Sequence, residues 1–247
     1  MFAEFALGMG GEIENIELSK GCDVDLGDSI NEAHAELHRL VAANARAGVR
    51  SIVIGGGHDY GFPHVAGISD AYQKKIGLIN VDAHLDVRPV SAGVITSGSP
   101  FWLALEKNMV SASNFVEFGI QPHCNDKSLV EYLRKKKVKI VMLSDCRKSN
   151  AVKLFEKNLK ALIRKKLKIV VSFDIDSVQM AHAPGVSAPQ AEGFTASEFL
   201  EMAAICGRYP QVCSIGFFEL APDLDVQNMT TRLVATAIHR YLSAISG

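Results

Sequence analysis

Two histidines and four of the five aspartates in three short runs have a spacing that suits hydrolysis assisted by divalent metal ions. The runs are Gly55-Gly-Gly-His58-Asp59, Asp82-Ala-His84-Leu-Asp86 and Asp174-Ile-Asp176, and the six side chains are His58, Asp82, His84, Asp86, Asp174 and Asp176. In the second and third runs the ligand types recur at every second residue, and an extended backbone sends alternate side chains to one face. Four carboxylates placed together repel unless protons or cations neutralise them, and mixed carboxylate and imidazole donors suit Mn2+, Zn2+ or Fe2+. Six ligands exceed what one catalytic ion with an open position needs. A pair of ions about 3.5 to 4 Å apart, sharing bridging carboxylates and one water, would use them all, and that water would ionise near neutral pH to become a nucleophile.

Each run alone has a plainer reading. A single Asp-x-Asp after a strand is common, and a Gly-rich stretch can be only a flexible turn. The triple Gly also resembles a phosphate cradle, but neither the Lys-Ser/Thr of a P-loop nor the third Gly of G-x-G-x-x-G follows it. A two-metal phosphoesterase would add Asn or further His ligands and a phosphate-binding cation, and the sequence places none near these runs. The conjunction of three runs is what favours a metal site.

The runs follow short β-rich stretches that alternate with segments of helical period, the rhythm of a parallel sheet covered by helices on both faces. Strands are predicted at Gly21–Leu26, Arg50–Gly55, Lys75–Val81, Asn114–Gly119, Val138–Leu143, Lys168–Phe173 and Val212–Phe218. The fold class is therefore α/β, a three-layer α-β-α arrangement around an open, doubly wound, mainly parallel sheet. In such sheets functional groups gather beyond the carboxyl ends of the strands, where all three runs lie. Ser29-Ile-Asn-Glu32 and Thr195-Ala-Ser-Glu198 read as capping boxes that open helices, the first with Gly48 as a stop and the second ending near Gly207. Val152, Phe155, Leu159 and Leu162 mark a further amphipathic helix, and Leu233, Ala237, Ile238 and Tyr241 a C-terminal one. The basic runs at 134–137 and 164–168 sit at predicted helix ends, where cations complement the dipole.

Composition narrows the class from outside. The chain has 247 residues, 48% hydrophobic and 21% charged, which is globular rather than disordered or fibrous. Lys and Arg number 26 against 27 Asp and Glu, so no general field attracts nucleic acid or an anionic membrane. Five cysteines, odd in number and without a C-x-x-C pair, argue against a disulfide framework or zinc knuckle and for a reducing compartment. The N-terminus lacks a signal-peptide pattern and no apolar stretch is long enough to span a bilayer, so a soluble cytoplasmic protein is expected.

With these residues in view, the sequence resembles the ureohydrolase family, the arginase and agmatinase group, whose three metal signatures match the three runs in order. The resemblance extends from Asp25-Leu-Gly27 to Glu219. It implies that His58 and Asp86 complete one Mn2+ site and His84 and Asp176 the other, with Asp82 and Asp174 bridging: two Mn2+ per chain. No His occurs between His84 and His123, where arginases and agmatinases place a proton-shuttling His. Thr96-Ser-Gly-Ser-Pro-Phe101, Asp86-Val-Arg88-Pro89, Gly119-Ile-Gln-Pro122 with Asn125, and Ala183-Pro-Gly-Val-Ser-Ala-Pro189 resemble the formimidoylglutamase branch instead.

The reaction so implied is hydrolysis of N-formimidoyl-L-glutamate to L-glutamate and formamide, in histidine catabolism. Asp86, Glu219 and His123 are the catalytic candidates: Asp86 holds the nucleophile, Glu219 faces the cationic amidinium, and a metal-bound hydroxyl, Asp86 or His123 supplies a proton to the leaving nitrogen. Arg88, Ser97, Gly98, Asn125 and Glu219 are the substrate-binding candidates, Arg88 because a guanidinium grips a carboxylate bidentately. A urea-releasing guanidine hydrolase of the arginase or agmatinase type is the alternative enzyme, and a non-catalytic binding or assembly module the alternative outside enzymes. The resemblance further implies one domain over residues 1–247, shortened by the β-α unit that members carry before the Asp25-Leu-Gly27 motif, and assembly into homo-oligomers.

Overall fold

The computed structural model describes residues 29–91 and 93–246, together with residues 16–19, 21 and 23. Six strands form one sheet among them: β1 (Ser51–Ile54), β2 (Ile76–Val81), β3 (Phe115–Ile120), β4 (Lys139–Met142), β5 (Lys168–Asp174) and β6 (Val212–Phe218). Every pairing is parallel, in the order β1-β6-β5-β2-β3-β4. These are six of the seven expected strands. The seventh, Gly21–Leu26, and the Asp25-Leu-Gly27 motif fall on residues outside the described ones, apart from Gly21 and Asp23.

The chain enters the sheet at β1, jumps to β2, runs outward to β4, and then returns beside β2 to lay β5 and β6 in the opposite direction. The order therefore reverses between β2 and β5. Such a switch point leaves a crevice at the carboxyl ends of the two strands, because the connections leaving them pass to different sides.

Eight helices follow in the described chain: α1 (Ile30–Arg46), α2 (Gly61–Ala71), α3 (Pro100–Glu106), α4 (Lys127–Lys136), α5 (Leu143–Lys148), α6 (Ala151–Ile163), α7 (Ala196–Arg208) and α8 (Met229–Ser246). The period-2 alternation of the strands sorts them into two cores. Ile79, Val81, Phe118, Val171, Phe173, Ile215 and Phe217 meet α5, α6, α7 and α8 on one face. Ile76, Leu78, Phe115, Val170 and Phe218 meet α1, α2, α3 and α4 on the other. Strands covered on both sides carry almost no exposed residue, which is why β2, β3 and β6 are buried throughout.

The helix starts follow the sequence. The Ser29 hydroxyl accepts from the Glu32 N–H at 3.3 Å, and Thr195 and Glu198 form a reciprocal capping box. Gly48 lies at φ +75 just past α1, as a stop should. Gly207 stands one residue before the end of α7, near the helix end as expected. It lies inside α7, where a Cβ would collide with the Tyr241 carbonyl of α8, so its lack of a side chain lets the two helices touch. The basic run at 134–137 ends α4, with Lys137 as a left-handed cap at φ +63, and Arg164 caps α6. No helix among the described residues is long and apolar enough to cross a membrane.

Candidate metal centre

All six candidate ligands meet at the switch point. Asp82 follows β2 directly, Asp174 ends β5, and the turns beyond carry His84, Asp86 and Asp176. His58 arrives from β1 through Gly55-Gly56-Gly57 and begins a short 3-10 turn, His58–Tyr60. A Cβ on Gly57 would strike the Asp59 carboxylate, so the bend that swings His58 over the sheet needs glycine there. Asp59 itself turns away from the centre and binds His34 Nε2 of α1 at 2.6 Å, a buried pair that anchors this turn to the helix behind it. His34 carries no signal for that task in the sequence, because the partner lies 25 residues away.

The ligand atoms are close enough to share cations. His58 Nδ1 stands 2.9 Å from Asp174 Oδ2, 3.0 Å from Asp86 Oδ2 and 3.3 Å from Asp82 Oδ2. His84 Nδ1 stands 2.9 Å from Asp176 Oδ2 and 3.5 Å from Asp82 Oδ1. Two groups result, His58 with Asp82, Asp86 and Asp174, and Asp82 with His84 and Asp176. Asp82 belongs to both, one oxygen toward each histidine. Asp174 belongs to the first group, and its other oxygen accepts the Asp176 N–H at 2.8 Å. The Oδ1 atom of Asp176 is buried without a partner among the described residues.

This cluster is proton-rich and electrostatically tense without cations. Burial, with the charge of Asp82, pushes the Asp86 carboxyl up to about 7 and that of Asp176 up to about 6. Burial and the neighbouring Asp176 drive Asp174 well above the usual carboxylate range. Asp82 goes the other way: burial opposes ionisation, but hydrogen bonds from His58 and His84 hold its carboxyl below the usual range. Burial disfavours a charge on His84 too, yet its bonds to Asp176 and Asp82 raise it to about 12. Four buried carboxyl groups and two imidazoles sharing protons among them are a donor set that divalent cations satisfy better than protons do, so the residues fit two ions.

The surroundings fix these ligands. His58 Nε2 bonds the Ser172 hydroxyl at 2.7 Å, leaving Nδ1 for the centre, and the ring stacks on Phe218 with Phe101 edge-on. The His84 N–H donates to Asp82 Oδ1 at 2.7 Å. Two site residues sit in left-handed backbone unusual for a side-chain-bearing residue, Asp86 at φ +46 and Glu219 at φ +65. Glu219, past the end of β6, accepts the His58 N–H at 2.7 Å through Oε1 and the Ser187 hydroxyl at 2.7 Å through Oε2. Ser187 belongs to the 183–189 loop, so that loop and the first ligand run meet at this carboxylate.

The remaining candidates are dispersed. Arg88 is exposed, its stem packed against Gly98, whose carbonyl accepts the Arg88 N–H at 2.7 Å; Ser97 is exposed beside it. Asn125 is committed to the backbone: Oδ1 accepts from Leu85 N–H at 2.8 Å, and Nδ2 donates to the Ala83 and Gln121 carbonyls. It braces the second ligand run from below, and that is the position the structure gives it. His123 is exposed in the turn Pro122–Cys124 and lines a separate cleft of about 420 Å3 with Leu143, Arg147 and Glu192.

A doubly covered parallel sheet with a two-ion carboxylate and imidazole centre at its switch point defines an α/β metallohydrolase. The chain belongs to the arginase family, whose model matches residues 3–243. It is 30% identical over 216 residues to a formimidoylglutamase of Staphylococcus carnosus, covering 87% of this chain and 68% of that protein. To a formimidoylglutamase of Klebsiella pneumoniae it is 32% identical over 216 residues, covering 85% and 66%. It spans about two thirds of the length of these two relatives. Trypanosoma cruzi formiminoglutamase with Mn2+2 superposes with a TM-score of 0.90 at 30% identity, over 97% of this chain and 80% of that one. Native arginase of Bacillus caldovelox, at 22% identity and a TM-score of 0.79 over 92% and 80%, shares the fold.

Proposed function

We propose that this chain is a two-manganese hydrolase that cleaves the C–N bond of a linear amidine, N-formimidoyl-L-glutamate, giving L-glutamate and formamide. The observation that carries the reading is the pair of ligand groups sharing Asp82. Formimidoylglutamases among the relatives, and manganese in the Trypanosoma cruzi structure, support it. His58, Asp86 and Asp174 would hold one ion, His84 and Asp176 the other, and Asp82 both. When bound, the ions supply Lewis acidity and a water of lowered pKa.

The chain's own residues do the rest. Glu219 places a negative charge beside the centre, and each of its oxygens keeps a lone pair after accepting from His58 and Ser187, so it can receive the N–H groups of an amidinium. Arg88 has no ion-pair partner among the described residues and offers a fork for a substrate carboxylate. Its setting against Gly98 keeps the stem low, because a Cβ on Gly98 would meet Arg88 Cδ at 2.9 Å. Hydrolysis adds water across the amidine carbon and releases the glutamate nitrogen, which must take a proton. Asp86 is at the centre and His123 is exposed in another cleft, so Asp86 is the better placed donor.

Manganese analysis and a substrate screen test the reading together. The expected outcome is about two Mn2+ per chain and formamide from formimidoylglutamate, without urea from arginine or agmatine. Urea release would move the chain to the guanidine-cleaving reading, and metal binding without turnover of any of them to the non-catalytic one. Asp82→Ala should remove both ions.

A further inference from the structure

Beneath the ligands runs a second polar row. Glu117 of β3, Asn80 of β2 and Ser172 of β5 are register partners across the sheet, and all three are fully buried. They lie on the ligand face, since Asn80 stands two residues before Asp82 and Ser172 two before Asp174. Ser172 serves His58. Asn80 donates through Nδ2 to two carboxyl groups, Asp82 Oδ2 at 3.1 Å and Glu117 Oε2 at 3.0 Å. Glu117 has no part in the chemistry described so far, and a buried acid in the middle of a parallel sheet is costly unless it has a task.

We propose that Glu117 is a positioning residue: it takes one proton of the Asn80 amide so that the other is held on Asp82 Oδ2, fixing the carboxylate that both ion sites share. The inference rests on the two-ion reading above. The amide is locked in this sense because a flip would press the Asn80 carbonyl oxygen against both carboxyl groups. Asp82 is thereby clamped at both ends, Oδ1 by the His84 N–H and Oδ2 by Asn80. The other oxygens of the pair, Asn80 Oδ1 and Glu117 Oε1, are buried without partners among the described residues. A proton on Glu117 would supply a donor where this pair has none, and burial raises the carboxyl of Glu117 well above the usual range. A neutral acid in this place is mimicked by glutamine, which keeps an acceptor for Nδ2–H and a donor in place of the O–H.

The test is a calorimetric Mn2+ titration of the whole chain, with the electron paramagnetic resonance spectrum of the loaded protein as a second readout. Glu117→Leu should weaken manganese binding about 10- to 100-fold, the usual loss when a residue that orients a metal ligand is removed. Spectra of coupled ions should give way to those of isolated ones. Glu117→Gln should restore wild-type affinity within about threefold and the coupled spectrum. Unchanged binding in a folded Glu117→Leu overturns the proposal, as does a Glu117→Gln protein as weak as the leucine variant, since charge and not the hydrogen bond would then matter. Asn80→Ala must weaken binding by the same factor, and undiminished binding there overturns the proposal even where Glu117→Leu fails to fold. A wild-type protein that takes up no pair of ions would sink the two-ion reading itself, a separate outcome.

Discussion

Manganese must compete with protons for this centre, and the competition can be measured. Asp86 and Asp176 titrate at about 7 and about 6 in the metal-free protein and must both be ionised to hold ions. At pH 6 they carry together about 1.4 protons, and at pH 8 about 0.1. His58 and Asp174 stand well above their ordinary values and His84 at about 12, so protons leaving these groups add to those counted for the two aspartates. From Asp86 and Asp176 alone, loading with manganese should expel about 1.3 more protons at pH 6 than at pH 8.

The sign follows from which state holds the protons. Because the metal-free state binds them and the loaded state does not, raising the pH strengthens metal binding. The two aspartates alone should improve the apparent affinity about 20-fold between pH 6 and pH 8, on the order of 2 kcal/mol. Calorimetric titration at both pH values, each in two buffers of different ionisation enthalpy, counts the protons directly. Asp86→Asn should remove most of the difference in proton release. Equal proton release at pH 6 and pH 8 in the wild type, or tighter binding at the lower pH, would refute the reasoning.

Other expectations follow from single contacts. Gly207→Ala should lower stability by about 1 to 3 kcal/mol through overpacking, although alanine is the better helix former; thermal melts decide the sign. Thr195→Ala removes the capping box of α7 and should cost about 0.5 to 2 kcal/mol, read by chemical denaturation. His64, fully buried with Nε2 on the Ser214 hydroxyl at 2.6 Å, is pushed down to about 3 by burial and by the neighbouring His58 charge. Its 15N shifts should stay those of a neutral ring from pH 8 to pH 5. Since the unfolded histidine protonates near the ordinary value and the folded one does not, His64 subtracts stability as the pH falls below about 6.5. Ser172→Ala strands the buried Nε2–H of His58 and should destabilise the protein by about 1 to 3 kcal/mol, again by denaturation.

Much of this protein was legible in its residue order. The alternation of apolar strands and capped helices fixed the fold class, because a strand buried on both faces and a helix buried on one leave different periods. Six strands lie where the apolar runs put them, and the seventh lies outside the described residues. The ligand types and their two-residue spacing marked the metal centre, since period-2 geometry is local and survives without knowing what pairs with what.

What the sequence could not reveal were the relations between distant residues. Strand order placed β5 beside β2 and so brought Asp174 to Asp82 across 92 positions, and only that neighbourhood made Asp82 the ligand common to both groups. The pairing of Asp59 with His34, the closure of Glu219 onto His58 and Ser187, and the buried row of Glu117, Asn80 and Ser172 have no periodicity to announce them. Gly207 shows the same limit from the other side: the sequence places it near a helix end, but not against the Tyr241 carbonyl of α8, which only the packing of the two helices brings there. Local patterns report which way a side chain faces. What it then meets is decided by the packing of whole elements, which no window along the chain contains.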